Sequence, residues 1–253
     1  MQNWKFQISA WWQDATAATF GTIMGIVLTV GVTFWQQEND QKDMARKITK
    51  ITLHNLDVRI NQMQNTVDML AVKDSIYRKL QSHTSNHFNG LNPDSLLYDL
   101  NMLATTQYLI TDTKSETIFS HSFEVWQYLD DEKVIGRISN SYSMMDFGEK
   151  LATEYDLKIS DALYKCQLKV IEKGLEDHPA EIAKLVTQHP ETITAFQHVP
   201  TIVYMLTNLV SVTRQLNERN KHELGLSQAE LEEVGNLLEQ NSYSVGDSIM
   251  ISE

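Results

Sequence analysis

One cysteine, four prolines and no Gly/Ser-rich tract leave this 253-residue chain few devices besides helix packing to hold it together. Cys166 alone cannot form an intramolecular disulfide or a cysteine-only metal site. The missing linker composition argues against a long flexible hinge. Basic charge is scarce too, with 21 Lys+Arg against 33 Asp+Glu and a net charge of −12. Residues 1–37 carry only Lys5 and Asp14, so the acidic excess lies in the remainder. A general nucleic-acid binder needs a basic face, and that class is excluded. Phosphate-binding glycine loops and the G-x-S-x-G nucleophile elbow are absent. Sustained period-2 alternation is absent as well, which leaves strands no place beyond a short one in the tail.

What the chain does have is one long uncharged run. The 23 residues 15–37, ATAATFGTIMGIVLTVGVTFWQQ, separate Asp14 from Glu38. At about 1.5 Å per residue a helix of that length reaches roughly the 30 Å of a bilayer's hydrocarbon core. Trp4, Trp11 and Trp12 precede it and Trp35 closes it, as interfacial tryptophans do. The run is long for a signal peptide, and no A-x-A site follows it. The expected organisation is an interfacial segment (1–14), a transmembrane helix (15–37), a juxtamembrane helix (38–82), a helical bundle domain (83–241) and an acidic tail (242–253). Membrane lipid is therefore an expected partner. Lys42, Arg46, Lys47 and Lys50 lean the bundle toward the cytoplasm, but Glu38, Asp40 and Asp43 dilute that cluster, and the charges do not decide the side.

Ala17, Gly21, Gly25, Thr29 and Thr33 recur every four residues along this helix. Small residues in register let two helices approach closely in lipid, so they are the candidate packing positions for a second copy or another membrane protein.

After the membrane, Leu53, Leu56, Ile60, Met63, Val67, Leu70, Asp74 and Tyr77 step by three and four as a heptad seam. Thin flanking charge, and extra apolar residues at Val58, Met69 and Val72, favour packing into the chain's own bundle over a free two-stranded coiled coil. Asn92-Pro93-Asp94 starts a helix, and Thr113–Glu116 is a capping box before an aromatic segment with Trp126. A long periodic stretch follows to about Lys173, with Gly136 and Gly148 as places to bend. Pro179, Pro190 and Pro200 open further helices, the third containing the apolar run TIVYMLTNLVSV, expected to be a buried central helix. Ser227 and Glu230 form a last capping box. The fold class is all-α, one transmembrane helix followed by a multi-helix soluble bundle.

The segments FGTIMGIVLTVGVTFWQQEND and IFSHSFEVWQYLDDEKVIGRISNSY resemble a family of single-pass inner-membrane proteins of unknown function from Bacteroidota, over roughly the first 150 residues. The resemblance implies a bacterial inner-membrane setting and no activity.

Chemistry-bearing residues read as structural. His83 and His87 lie four apart in a polar loop, short of a zinc ligand set. His178 and His189 each precede a helix-opening proline. Cys166 sits among helically spaced apolar residues, Asp130–Glu132 lies at a turn, and Glu232-Glu233 lies on a terminal helix. No cofactor, metal or catalytic residue is expected. The functional expectation is a noncatalytic membrane-anchored scaffold or regulatory subunit; the alternative is an anchored sensor whose bundle binds a small ligand. Replacing Gly21 and Gly25 with Ile should weaken association in a membrane two-hybrid reporter, because bulky side chains hold the backbones apart. An unchanged signal would place that face against lipid.

Overall fold

A computed structural model describes the backbone of residues 3–83, 88–105, 117, 119–121, 126–129, 131–227, 229–233 and 235–236, with side chains from residue 36 onward apart from residue 89. The helices are α1 (Asn3–Ser82), α2 (Pro93–Ala104), α3 (Glu132–Glu172), α4 (Pro179–Gln188), α5 (Pro190–Gln197) and α6 (Val199–Glu223), with a 3-10 turn at Phe88–Gly90. No strand occurs among the described residues, so the all-α multi-helix bundle holds. Among those residues no helix is long and apolar enough to cross a membrane. The side chains of the expected span at 15–37 lie outside them up to residue 35.

The chain forms two compact units. One comprises residues 1–49 and 122–130, where Ala45, Thr49 and Trp126 are buried. The other comprises residues 50–121 and 131–253 and holds the bundle.

Local chemistry sets the helix ends of the bundle. Asn92 accepts hydrogen bonds from the backbone N–H groups of Asp94 and Ser95, and Pro93 occupies the first turn of α2. Asp131 does the same for Lys133 and Val134 at the start of α3. Pro179, Pro190 and Pro200 stand in the first turns of α4, α5 and α6. At the far ends of α3 and α6 the chain must turn left-handed. Gly174 (φ 62°) and Gly225 (φ 61°) do so, and the following Leu175 and Leu226 donate back to Val170 and Lys221.

Three long helices make the core. Arg59 of α1 pairs with Asp146 and Glu149 of α3, and Lys73 pairs with Asp156. Partner positions rise together, so the bundle part of α1 and α3 run in the same direction. Helix α6 runs against both. Asp57 meets Lys221 and Asn217 while Asn61 meets Arg214, and on α3 Arg137 meets Asn220 while Met144 meets Thr213. At Gly148 of α3, side chains of both α1 and α6 come close. A Cβ there would lie 3.2 Å from Leu209 and 3.3 Å from Met63, so the glycine leaves room for two neighbouring side chains. α3 is a single helix through both Gly136 and Gly148.

The apolar filling comes from Ile60, Met63, Val67, Leu70, Met145, Ala152, Ile159 and Leu206, among others. Each such aliphatic side chain contributes roughly 1.5–3 kcal/mol by leaving water. Tyr77 stacks on Phe196 of α5, ring centroids 4.1 Å apart and planes 7° apart. The last described helical turns lie along α1, where Lys50 reaches Glu230 at 2.7 Å and Gly235 abuts His54.

Two expectations need correction. Asp74 stands only at the edge of the seam: Lys73 is 2% exposed, while the Asp74 carboxylate, 14% exposed, bonds Arg78 with one oxygen and keeps the other buried without a partner. Arg59, Thr66, Lys73 and Leu80 form a buried seven-residue row beside Leu56, Met63, Leu70 and Tyr77, so the buried stripe lies on that side and the row of Leu53, Ile60 and Val67 reaches its edge at Asp74. Val58 and Val72 point away from these rows and are exposed. Helix α6 is not buried all round either. Ile202, Leu206, Val210, Thr213 and Asn217 face inward, and Tyr204, Met205 and Val212 face out.

Lys73→Ala should cost about 3–5 kcal/mol in urea unfolding of the full chain, because Asp156 is left as an uncompensated buried carboxylate. Lys73→Met combined with Asp156→Leu should recover most of that loss. A double variant as unstable as the single one would mean that the pair itself, and not the orphaned charge, sets the cost.

Candidate functional site

The five small residues of the expected packing face, Ala17, Gly21, Gly25, Thr29 and Thr33, belong to α1, and their side chains lie outside the described residues. His87 also lies outside them; His83 sits 5.9 Å from the Phe88 ring. Among the described residues no group of three His, Cys, Asp or Glu side chains is placed to hold a metal ion. His178 and His189 each stand at the position before a helix-opening proline. Asp131 is a helix cap, and Glu232 and Glu233 are exposed. Glu230 belongs to its capping box, accepting from the Ser227 N–H and hydroxyl. Lys50, foremost, and those Ser227 donors hold its carboxyl down to about 2.

Cys166 is 1% exposed and 3.3 Å from the Thr192 hydroxyl. Burial pushes its thiol up. Tyr77 is likewise pushed up to about 12, first by burial and then by the nearby thiol. Both groups are held in their neutral forms, the opposite of what an activated nucleophile or base requires.

Chemistry gives way to shape on α3. Its inward face, Ile159, Ala162, Cys166 and Val170, is buried in the core. A second apolar line runs along its outside: Leu157 is 60% exposed, Tyr164 58%, Leu168 48% and Ile171 55%. Leu157, Tyr164 and Ile171 repeat every seven residues, so they share one helix face and form a ridge about 21 Å long. Beside it lies a cleft of about 430 Å³ between α2, α3 and α4, its apolar wall formed by Leu97, Leu100, Leu163, Val170, Ile182 and Val186. Asn101, Ser160, Gln167 and Glu176 are polar lining, and Tyr164 and Ile171 of the ridge form its rim. On the ridge's other side stand Lys158, Asp161, Lys165 and Glu172. Lys165 bridges Asp161 and Glu191, and these two carboxylates, Glu191 foremost, raise its ammonium.

Sequence reasoning missed the ridge. Two apolar faces on one 41-residue helix read as a single widened core stripe. The available signal was the seven-residue repeat of Leu157, Tyr164 and Ile171, offset by two residues from the buried Ile159.

Comparisons with protein-family models, with curated proteins and with solved structures find no match for this chain.

Cys166 in the folded chain should resist iodoacetamide at neutral pH and react only once denaturant opens the bundle. Fast labelling without denaturant would mean that the cleft gives access to the thiol, and would return Cys166 to the list of reactive groups.

Proposed function

We propose that the protein is a noncatalytic, membrane-anchored helical scaffold or regulatory subunit of a membrane complex. The observation that carries this reading is the exposed ridge of Leu157, Tyr164, Leu168 and Ile171 beside an apolar cleft. Large apolar side chains in a contiguous exposed line mark interaction surfaces more often than they mark ordinary surface. The uncharged stretch at 15–37 supports the anchor by its length and flanking tryptophans, with membrane lipid as its surroundings. Its small-residue face supports contact with a second copy or another membrane protein. The bacterial inner-membrane setting rests on the resemblance of the first 150 residues and belongs to the same proposal.

A second reading, an anchored sensor, is favoured by the cleft itself. Its 430 Å³ falls in the size range of small-ligand pockets, and apolar walls with a few polar groups are their usual lining.

Membranes carrying the full chain should retain it through an alkaline carbonate wash. Release into the supernatant would remove the anchor, and with it the proposal. Thermal unfolding then separates the two readings: a shift in midpoint with an added apolar small molecule favours the sensor, since only binding to the folded state raises stability.

A further inference from the structure

We propose that the α3 ridge is where a second copy of this chain docks, α3 against α3 in antiparallel sense about Tyr164; this rests on the scaffold reading and names its partner. The ridge is self-complementary on reversal. Leu157 and Ile171 lie seven residues to either side of Tyr164, so a two-fold axis through Tyr164 sets Leu157 of one copy against Ile171 of the other, and the two Tyr164 rings against each other. An isologous contact of this kind uses one patch twice.

Charge decides the direction. At about 100° per residue, Lys158, Asp161, Lys165 and Glu172 fall on one flank of the ridge, and Ser160 and Gln167 on the other. In an antiparallel pair like flanks face each other in reversed order. Lys158 then meets Glu172 of the second copy, and Asp161 meets its Lys165, each twice. In a parallel pair the charged flank would meet the uncharged one, and Lys158 and Glu172 would find no charged partner on the second copy. Glu172 is exposed at the end of α3, and Lys158, 53% exposed, pairs with the exposed Glu154 one turn back and lies over the Tyr155 ring, both on the same helix. Both can therefore turn to a second copy without opening the core.

Chains carrying Leu157→Cys and Ile171→Cys, made with different tags and mixed, are treated with a short bis-maleimide in whichever fraction the full chain is found, so the result does not depend on the anchor. The expected product is the mixed dimer between residues 157 and 171, with little product from either chain alone and none from the wild type, whose Cys166 is buried. Lys158→Glu should lower the yield of the mixed product, and adding Glu172→Lys should restore it. Crosslinking of Leu157→Cys to itself would establish the parallel arrangement and overturn the proposal. No crosslink from either chain, alone or mixed, would overturn it too, leaving the ridge to a partner of another kind.

Discussion

Two cations are carried into the interior on α1, and the arrangement of the bundle follows from where they are neutralised. Arg59 and Lys73 are each 2% exposed, and a lone buried charge would cost several kcal/mol after relaxation. Helix α3 removes that cost in two places, with Asp146 and Glu149 around Arg59 and Asp156 against Lys73. Burial by itself would lower the Arg59 pKa, but its two carboxylate partners hold it above the ordinary value. Apolar contacts tolerate a slip of one residue far better than these pairs do. A slip of α1 against α3 would strand two charges at once, so the ion pairs specify one register among the many that apolar packing alone would allow.

With α1 and α3 fixed in parallel, the third long helix has to return between their ends, and its polar residues show how it is held. Asn217 donates to the Leu53 carbonyl and to Asp57, Lys221 reaches Asp57, and Arg137 reaches Asn220. All of these sit at one end of α6. The middle of the helix is apolar and closes on the opening at Gly148. The division is physically sensible. Directional hydrogen bonds fix the position of α6 along its axis, and area burial supplies most of its free energy.

The features legible in the sequence are those set by neighbours along the chain. The caps at Asn92 and Ser227, the prolines that open α2, α4, α5 and α6, and the burial of Cys166 and Trp126 depend on a few adjacent residues or on strong apolar character. Features that depend on the exact helical period across many turns were not legible. Lys73 and Asp74 are adjacent, and the burial of Lys73 depends on a carboxylate 83 positions away. The outward face of α6 and the ridge on α3 were hidden for a related reason. An apolar residue carries no mark of whether its neighbour is this chain's core or something beyond it.

The ridge also has to be reconciled with the charge of the molecule. A chain of net charge −12 repels its own copies at long range, but at physiological ionic strength that repulsion is screened beyond about 8 Å. What remains is decided within contact distance. There α3 departs from the acidic average, since its ridge is apolar and the flank beside it sets Lys158 and Lys165 among the carboxylates of Glu154, Asp161, Glu172 and Glu191. The acidic excess is instead concentrated elsewhere, including the stretch from His222 to Glu253, which has seven acidic residues and no Lys or Arg. Charge spread in this way keeps copies apart in most orientations and leaves one face whose centre is apolar and whose lysines offset part of the acidic charge. On that face the apolar side chains, not the net charge, determine what binds.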